Sequence, residues 1–413
     1  LEEWSDMRLN WLVILFFIVV VFGSDAYILR DIRKYVRSRY RTASTVAWVI
    51  LSLLCWGLAV AFLCMPKRSE DADLYPQMWM LYTFLSIYIP KLVYCICSLV
   101  GRIFCHAHRN LGAMIGVPLA TLLFVVMWWG VIFTRHDIVT NDVEIVSEKL
   151  PASFDGFKII QFSDAHLGSW GNDTLFVSRL VDSINSKHPD IILFTGDFVN
   201  QRSREFQPFV PVLSRLKAPY GVYGIYGNHD YAGYVDWKEP GGANRDIAKL
   251  DSMIRLTGMK MLKNQSDFIK QGKDSIVLIG VENWGEPPFN QLGDLGKSYP
   301  GKEGKFHGLN DNMFKILLTH NPEHWNQVAT DISNIDLSLA GHTHAMQTML
   351  KIGDWKWSPA QYIYENWGGL YEKTAKDGTP MRLYVNIGVG EVGFPARVGA
   401  AKPELTLITL KRK

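Results

Sequence analysis

Gly341-His342-Thr343-His344 follows the apolar run Ile335-Asp336-Leu337-Ser338-Leu339-Ala340, and the reading of this stretch decides the fold. The run has the length and composition of a strand. Two histidines one residue apart at its end can both turn toward one point, and neutral imidazole is a good ligand for borderline divalent metals. A lone His-x-His pair reads equally well as two hydrogen-bonded loop residues. Working outward, four further strand-like runs end in the same way. Lys158–Ser163 leads into Asp164-Ala165-His166, and Ile191–Thr195 into Gly196-Asp197. Val222–Tyr226 leads into Gly227-Asn228-His229-Asp230, and Phe314–Thr319 into His320-Asn321-Pro322. Packing alone gives no reason for Asp, His or Asn at five strand ends, whereas a shared metal site does.

In the order DxH, GD, GNHD, H and GHTH, these segments resemble the signature of the calcineurin-like metallophosphoesterases, over roughly residues 137–413. Ala165 stands where many members carry leucine, and every ligand position of the pattern is filled. The resemblance implies an α/β domain built as a four-layer αββα sandwich. It implies two divalent metal ions, with Asp164, His166 and His344 on the first, Asn228, His320 and His342 on the second, and Asp197 between them. It also implies attack on phosphorus by a hydroxide bridging the metals. His229 matches the family's catalytic histidine, which gives a proton to the leaving group or steadies the transition state; Asp230 is expected either to orient it or to make a purely structural turn contact. A mixed nitrogen and oxygen donor set suits manganese, iron or zinc better than calcium. Arg397, in the loop Gly393-Phe394-Pro395-Ala396-Arg397, reads either as a contact to a substrate phosphate or as a surface arginine. Asn386 is a weaker candidate.

The first third of the chain reads differently. A mean hydropathy of +0.02 is high for a soluble enzyme. Residues 11–29, 44–65, 75–100 and 111–133 are apolar runs, each long enough to cross a hydrocarbon core of about 30 Å. Trp11, Trp79, Trp128 and Trp129 lie near their ends, where indoles favour the interface. The first run lacks the small-residue cleavage site of a signal peptide. The expected organisation is an α-helical four-span transmembrane region over residues 1–134, then a metallophosphoesterase domain over 135–413. The loop after the first span is rich in arginine, and the loop after the third holds Arg102 and Arg109. Positive loops stay in the cytoplasm. This predicts an integral membrane protein with its enzyme domain on the extracytoplasmic side. The closing run Leu383–Leu410, with Gly-x-Gly and Pro-Glu-Leu-Thr-Leu, resembles the membrane-anchored bacterial subgroup of the family, which implies a bacterial inner membrane and a periplasmic domain. The basic loop 30–41 sets topology before it recognises any lipid. Lys91, inside the third span, could meet a lipid phosphate or a carboxylate; the favoured reading is a lysine that snorkels beside the Pro90 kink.

A net charge of +3 makes no case for nucleic acid as a partner. All five cysteines lie in the membrane region, so neither disulfides nor cysteine ligands belong to the enzyme domain. Helices are expected over 173–187, 206–216, 245–257 and 322–328. Strands are expected at 138–147, 275–281, 383–387 and 404–410, the first of them an edge strand that keeps the linker short. The expected partners are the bilayer and a phosphoester substrate, lipid or lipid-linked given the short linker. Alternatives are a soluble nucleotide or sugar phosphate, or a membrane sensor module regulated by the metal domain. Trp170, Trp284, Phe289, Trp355, Trp357 and Trp367 could dip into the bilayer or hold an acyl chain, although packing is the commoner role for such residues.

Overall fold

The computed structural model describes residues 2–104, 110–285, 291–299, 313–327, 335–374, 378 and 380–413. They form two compact units, one of residues 1–65 and 76–129, the other of residues 66–75 and 130–413.

The first unit is helical: α1 (Glu2–Tyr35), α2 (Ser38–Cys64), α3 (Leu74–Phe104) and α4 (Leu111–Ile132). Among the described residues, Ser38–Cys64, Leu74–Phe104 and Leu111–His136 are long and apolar enough to cross a membrane. The expected first span falls within α1, and the side chains of its residues 11–17 lie outside the described set. Lys91 does not snorkel. Its Nζ lies 2.7 Å from Asp25 Oδ1, and Tyr88 Oη and Trp56 Nε1 donate to Asp25 Oδ2 at 2.6 and 2.9 Å. A lone charge among apolar helices is costly, and pairing with Asp25 lowers that cost. Arg102 pairs with Asp31 in the same way.

The second unit carries the strands β1 (Val139–Ser147), β2 (Lys158–Phe162), β3 (Ile191–Phe194), β4 (Val222–Gly224), β5 (Lys260–Met261), β6 (Gln265–Gln271), β7 (Asp274–Gly280), β8 (Lys315–Leu318), β9 (Leu337–Ala340), β10 (Thr348–Ile352), β11 (Trp355–Trp357), β12 (Gly369–Thr374), β13 (Pro380–Val385), β14 (Val398–Gly399) and β15 (Glu404–Arg412). Its helices are α5 (Leu175–Ser186), α6 (Val210–Leu213), α7 (Gly242–Leu256), α8 (Leu295–Ser298) and α9 (Glu323–Gln327). One sheet runs β1-β15-β2-β3-β4-β5, a second runs β12-β13-β9-β8-β7-β6, and a small third runs β11-β10-β14.

Period-two alternation builds the layers. On β3, Ile191 and Leu193 face the second sheet, where Leu278, Ile316 and Leu337 meet them. Ile192 and Phe194 face outward, under Leu180 and Ile184 of α5 and Leu250 and Ile254 of α7. Beyond the second sheet, Val277, Leu317 and Leu383 pack with Leu295 of α8 and Trp325 of α9. The result is the αββα sandwich. Gln161 of β2 bridges the sheets by donating to the Ala340 carbonyl at the end of β9, 2.9 Å away.

Some expectations shift. The helix expected over 206–216 breaks into a 3-10 turn, Gln207–Phe209, and the short α6, because Pro208 and Pro211 each remove an N–H. Trp170, Trp284 and Trp367 are buried, while Trp355 is exposed. Phe289 and Val328 lie outside the described residues.

Candidate metal centre

β2, β3 and β4 are neighbouring parallel strands, and so are β8 and β9. Their carboxyl ends therefore share one edge of the sandwich, a common position for α/β sites. Asp164, Asp197, Asn228, His320 and His342 each follow one of these ends within four residues. Backbone bonds tie the loops together: Asp164 N–H donates to the Gly196 carbonyl, and His166 N–H to the Asp197 carbonyl.

The local backbone is unusual. Asp164, His166, Asp197, His342 and His344 all adopt positive φ, at 54, 40, 64, 75 and 50°. Such conformations cost of order 1–3 kcal/mol each for non-glycine residues and concentrate where surrounding structure imposes them for function. Gly341 and Gly227 permit the close approach of these loops. A Cβ on Gly341 would fall on Ser163 Oγ and Asp164 Oδ2, and one on Gly227 on Asp197 Oδ1.

The donors converge in sets. Asp164, His166 and His344 form one; Asp197, His320 and His342 form another; His166, Asp197 and His229 link them. His344 Nε2 lies 3.2 Å from Asp164 Oδ1 and 3.1 Å from His166 Nε2. Asp197 Oδ2 lies 3.4 Å from His166 Nε2 and 3.1 Å from His320 Nε2, which places this carboxylate between the two sets. His320 Nδ1 donates to the Thr195 carbonyl at 2.7 Å, which turns Nε2 toward the centre as a lone-pair donor. Asn228 Nδ2 donates to Tyr234 Oη at 2.8 Å, and its Oδ1 faces His320 Nε2 at 3.2 Å. Tyr364 Oη lies 3.2 Å from His342 Nε2.

Electrostatics agree with a cation site. Burial opposes charge on Asp197, but the His320 and His229 imidazoles overcome it and hold the carboxyl well below its ordinary value. Asp164 is likewise low, with burial outweighed by His344. Burial pushes His166 down to about 4 and His342 to about 3, so both imidazoles are neutral near pH 7. For His320, burial is outweighed by the Asp197 carboxylate, which raises it to about 9. Two carboxylates, the neutral imidazoles of His166 and His342, and a His320 whose Nε2 proton a bound cation would replace are a donor set that divalent cations fit.

His229 Nδ1 is held by the Asn200 carbonyl at 2.6 Å, and its ring stacks on Tyr234 with centroids 4.3 Å apart. Asp230 does not orient it. The Asp230 carboxylate instead accepts the N–H groups of Asp197, Phe198, Val199 and Gly227 at 2.9, 2.8, 3.3 and 2.9 Å. It thus shapes the loop that presents Asp197. Arg397 is also placed differently from the expectation of a phosphate contact. It is fully buried and donates to the carbonyls of Gly390, Ile387 and Ala401, with Nη2 3.5 Å from His344 Nδ1. It clamps the loop behind the centre. Asn386 is buried as well and donates to Thr406 Oγ1 at 2.9 Å.

Sequence reading missed Asn200, Tyr234, Tyr364 and Glu205. Glu205 Oε2 accepts the N–H groups of Asn200 and Gln201 at 2.6 and 3.2 Å and so fixes the carbonyl that holds His229. No periodicity marks these four. The one signal for Asn200 is its place three residues after Asp197.

The chain is similar in sequence to known proteins. A family model described as "Calcineurin-like phosphoesterase" matches residues 157–346, and one described as "Probable Calcineurin-like phosphoesterase, transmembrane domain" matches residues 7–135. An uncharacterized metallophosphoesterase of Bacillus subtilis (strain 168), YkuE, is 33% identical over 279 residues, covering 67% of this chain and 86% of that one. A transmembrane protein with metallophosphoesterase domain from Danio rerio is 29% identical over 280 residues, covering 66% of this chain and 57% of that one. Among solved structures, TT1561 of Thermus thermophilus aligns with 57% of this chain and 90% of that chain, at 13% identity and a TM-score of 0.32. The chain belongs to the calcineurin-like metallophosphoesterases, a family of metal-dependent phosphoester hydrolases, and joins that domain to a transmembrane region.

Proposed function

We propose that this protein is a membrane-anchored phosphoesterase with two divalent ions, manganese, iron or zinc, acting on the phosphoester of a lipid or lipid-linked substrate on the extracytoplasmic side. One observation carries the reading: Asp164, His166, Asp197, His320, His342 and His344, with Asn228 Oδ1 3.2 Å from His320 Nε2, converge from five strand-end loops, Asp197 lying between two sets. Asp164, His166 and His344 would hold one ion, and Asn228, His320 and His342 the other. When bound, such a pair neutralises charge on a phosphoryl group and lowers the pKa of water.

The chain's own residues do the rest. Asn200 fixes the tautomer of His229, so a proton on Nδ1 stays on the carbonyl side. His229 Nε2 is then the atom that can reach the leaving-group oxygen, stabilising or protonating it as the P–O bond breaks. Thr195 and Tyr234 aim His320 and Asn228. The domain boundary near residue 135 and the short linker favour a substrate that resides in the membrane.

The test is metal content and turnover of purified full-length protein in lipid, on a phosphomonoester, a phosphodiester and a phospholipid. The reading expects about two ions per chain, loss of metal in Asp197→Ala, and retained metal with reduced rate in His229→Ala. Metal binding without cleavage of any ester, lipid included, would sink it.

A further inference from the structure

We propose that the β10–β11 hairpin and the turn after it form a docking face that rests in the headgroup layer of the bilayer. The hairpin pairs Leu350 with Trp357, Lys351 with Lys356, and Ile352 with Trp355. Directly opposed residues share a face, and faces alternate along a strand. Leu350, Ile352, Trp355 and Trp357 therefore make one face, and the two lysines the other. Lys356 Nζ donates to the Gly368 carbonyl at 2.5 Å and lies 5.1 Å from the Trp367 ring centroid, so Lys356 reaches back toward the body of its unit. The apolar face is the outer one: Ile352 is 74% exposed and Trp355 55%. Tyr362 and Ile363 extend it, at 75% and 65%, and Trp357 Nε1 donates to Tyr362 Oη at 3.3 Å.

The position of the hairpin identifies the occupant as lipid. β10 pairs in parallel with β14, Thr348 with Val398 and Met349 with Gly399. β14 packs on the 3-10 turn Thr134–His136, which directly follows the last membrane helix in the chain. A Cβ on Gly130 would lie 2.7 Å from the Arg397 carbonyl, one residue before β14. The base of the hairpin therefore adjoins the residues that directly follow α4. Tryptophan, tyrosine and isoleucine, here on either side of the Gly353-Asp354 turn, are residues that settle at the membrane interface. Met346, two residues after His344 and two before β10, is 44% exposed. Docking does not depend on the proposed reaction, although it would present a headgroup ester to that centre.

The experiment uses full-length protein with its five native cysteines replaced by alanine, reconstituted in phosphatidylcholine–phosphatidylglycerol vesicles. A polarity-sensitive fluorophore is attached at Ile352→Cys, and at Leu256→Cys as a reference at the exposed end of α7. The expected result is blue-shifted emission at position 352, quenched several-fold more by nitroxide-labelled lipid than at position 256. A fluorophore at Ile363→Cys should lose that excess quenching when Ile352→Asp and Trp355→Asp are added. Equal quenching at 352 and 256 overturns the proposal. So does a blue shift without lipid quenching together with a dimer mass by light scattering, which would mean that a second copy covers the face. Neither readout requires turnover, so failure of the docking face and failure of the proposed reaction are told apart.

Discussion

His229 can act in one direction only, because its other nitrogen is already committed. The Asn200 carbonyl holds Nδ1, and Glu205 holds the Asn200 backbone. If Glu205 acts through His229, the two residues form one functional unit and their effects are not additive. His229→Ala is expected to lower kcat about 10²-fold or more on an alkyl phosphate, within the usual range for a proton donor, with metal content unchanged. Glu205→Ala should cost about tenfold, a larger part of it on alkyl than on aryl esters, and should add nothing in the His229→Ala background. Glu205→Gln should retain the rate, since both N–H bonds go to a single oxygen. An equal loss from Glu205→Ala in both backgrounds would reduce this residue to a fold-maintaining role. Burial also pushes the Glu205 carboxyl from 4.5 up to about 7. The folded state then binds this proton more tightly than the unfolded one, so its contribution to stability falls as pH rises from 4.5 through 7. The Tm of Glu205→Gln, measured relative to the parent at each pH, should be higher at pH 8 than at pH 5; a difference independent of pH would contradict the assignment.

At the level of elements, the strand-end loops work because glycine admits contacts that other residues would block. Gly341→Ala would drive a methyl group into the Asp164 carboxylate. The expected outcome is loss of bound metal and a drop in activity of about 10²-fold or more, the order seen when a catalytic constellation is misplaced by about 1 Å. Added metal should raise the parent Tm, by linkage of binding to folding, and leave that of Gly341→Ala unchanged. A Gly341→Ala protein that binds metal normally would show that the loop has room to spare. The same loops explain what could be read from sequence. Buried parallel strands are near-continuous apolar runs, so β2, β3, β8 and β9 and the donors at their ends stand out against the neighbouring sequence. Edge strands do not. β6 covers Ile269 alone among its seven residues, and β12 has no fully buried residue, so neither shows a clear period. Arg397 and Asp230 were visible as residue types, but their partners are distant carbonyls and N–H groups that only the tertiary fold brings near. Tyr234 and Tyr364 orient candidate ligands from loops of no fixed length, and no local pattern announces them.

For the molecule as a whole, the segment between the second and third membrane helices is informative because it belongs to the enzyme unit. Arg202 and Arg204 donate to the Ala72 carbonyl, Arg68 pairs with Asp236 at 3.1 Å, and Lys238 pairs with Asp71 at 2.8 Å. Residues 66–75 therefore lie on the same side of the membrane as the domain that follows α4. A chain that crosses through α3 and returns through α4 satisfies this requirement, and one with an odd number of crossings between them does not. The charge of the other loops predicts the side: Arg33, Lys34, Arg37, Arg39 and Arg41, at the junction of α1 and α2, are expected to keep that junction in the cytoplasm. Single cysteines at Asp73→Cys, Lys413→Cys and Arg39→Cys, in the protein stripped of its native cysteines and expressed in a bacterium, test both steps with a membrane-impermeant maleimide. Positions 73 and 413 should label in intact spheroplasts, and position 39 only after lysis. Opposite behaviour of 73 and 413 would break the pairing of α3 with α4. Joint labelling of 73 and 413 only after lysis would keep the pairing but turn the metal centre to the cytoplasm. The substrate would then have to be sought among cytoplasmic phosphoesters, because a centre on that side has no access to esters on the outer leaflet.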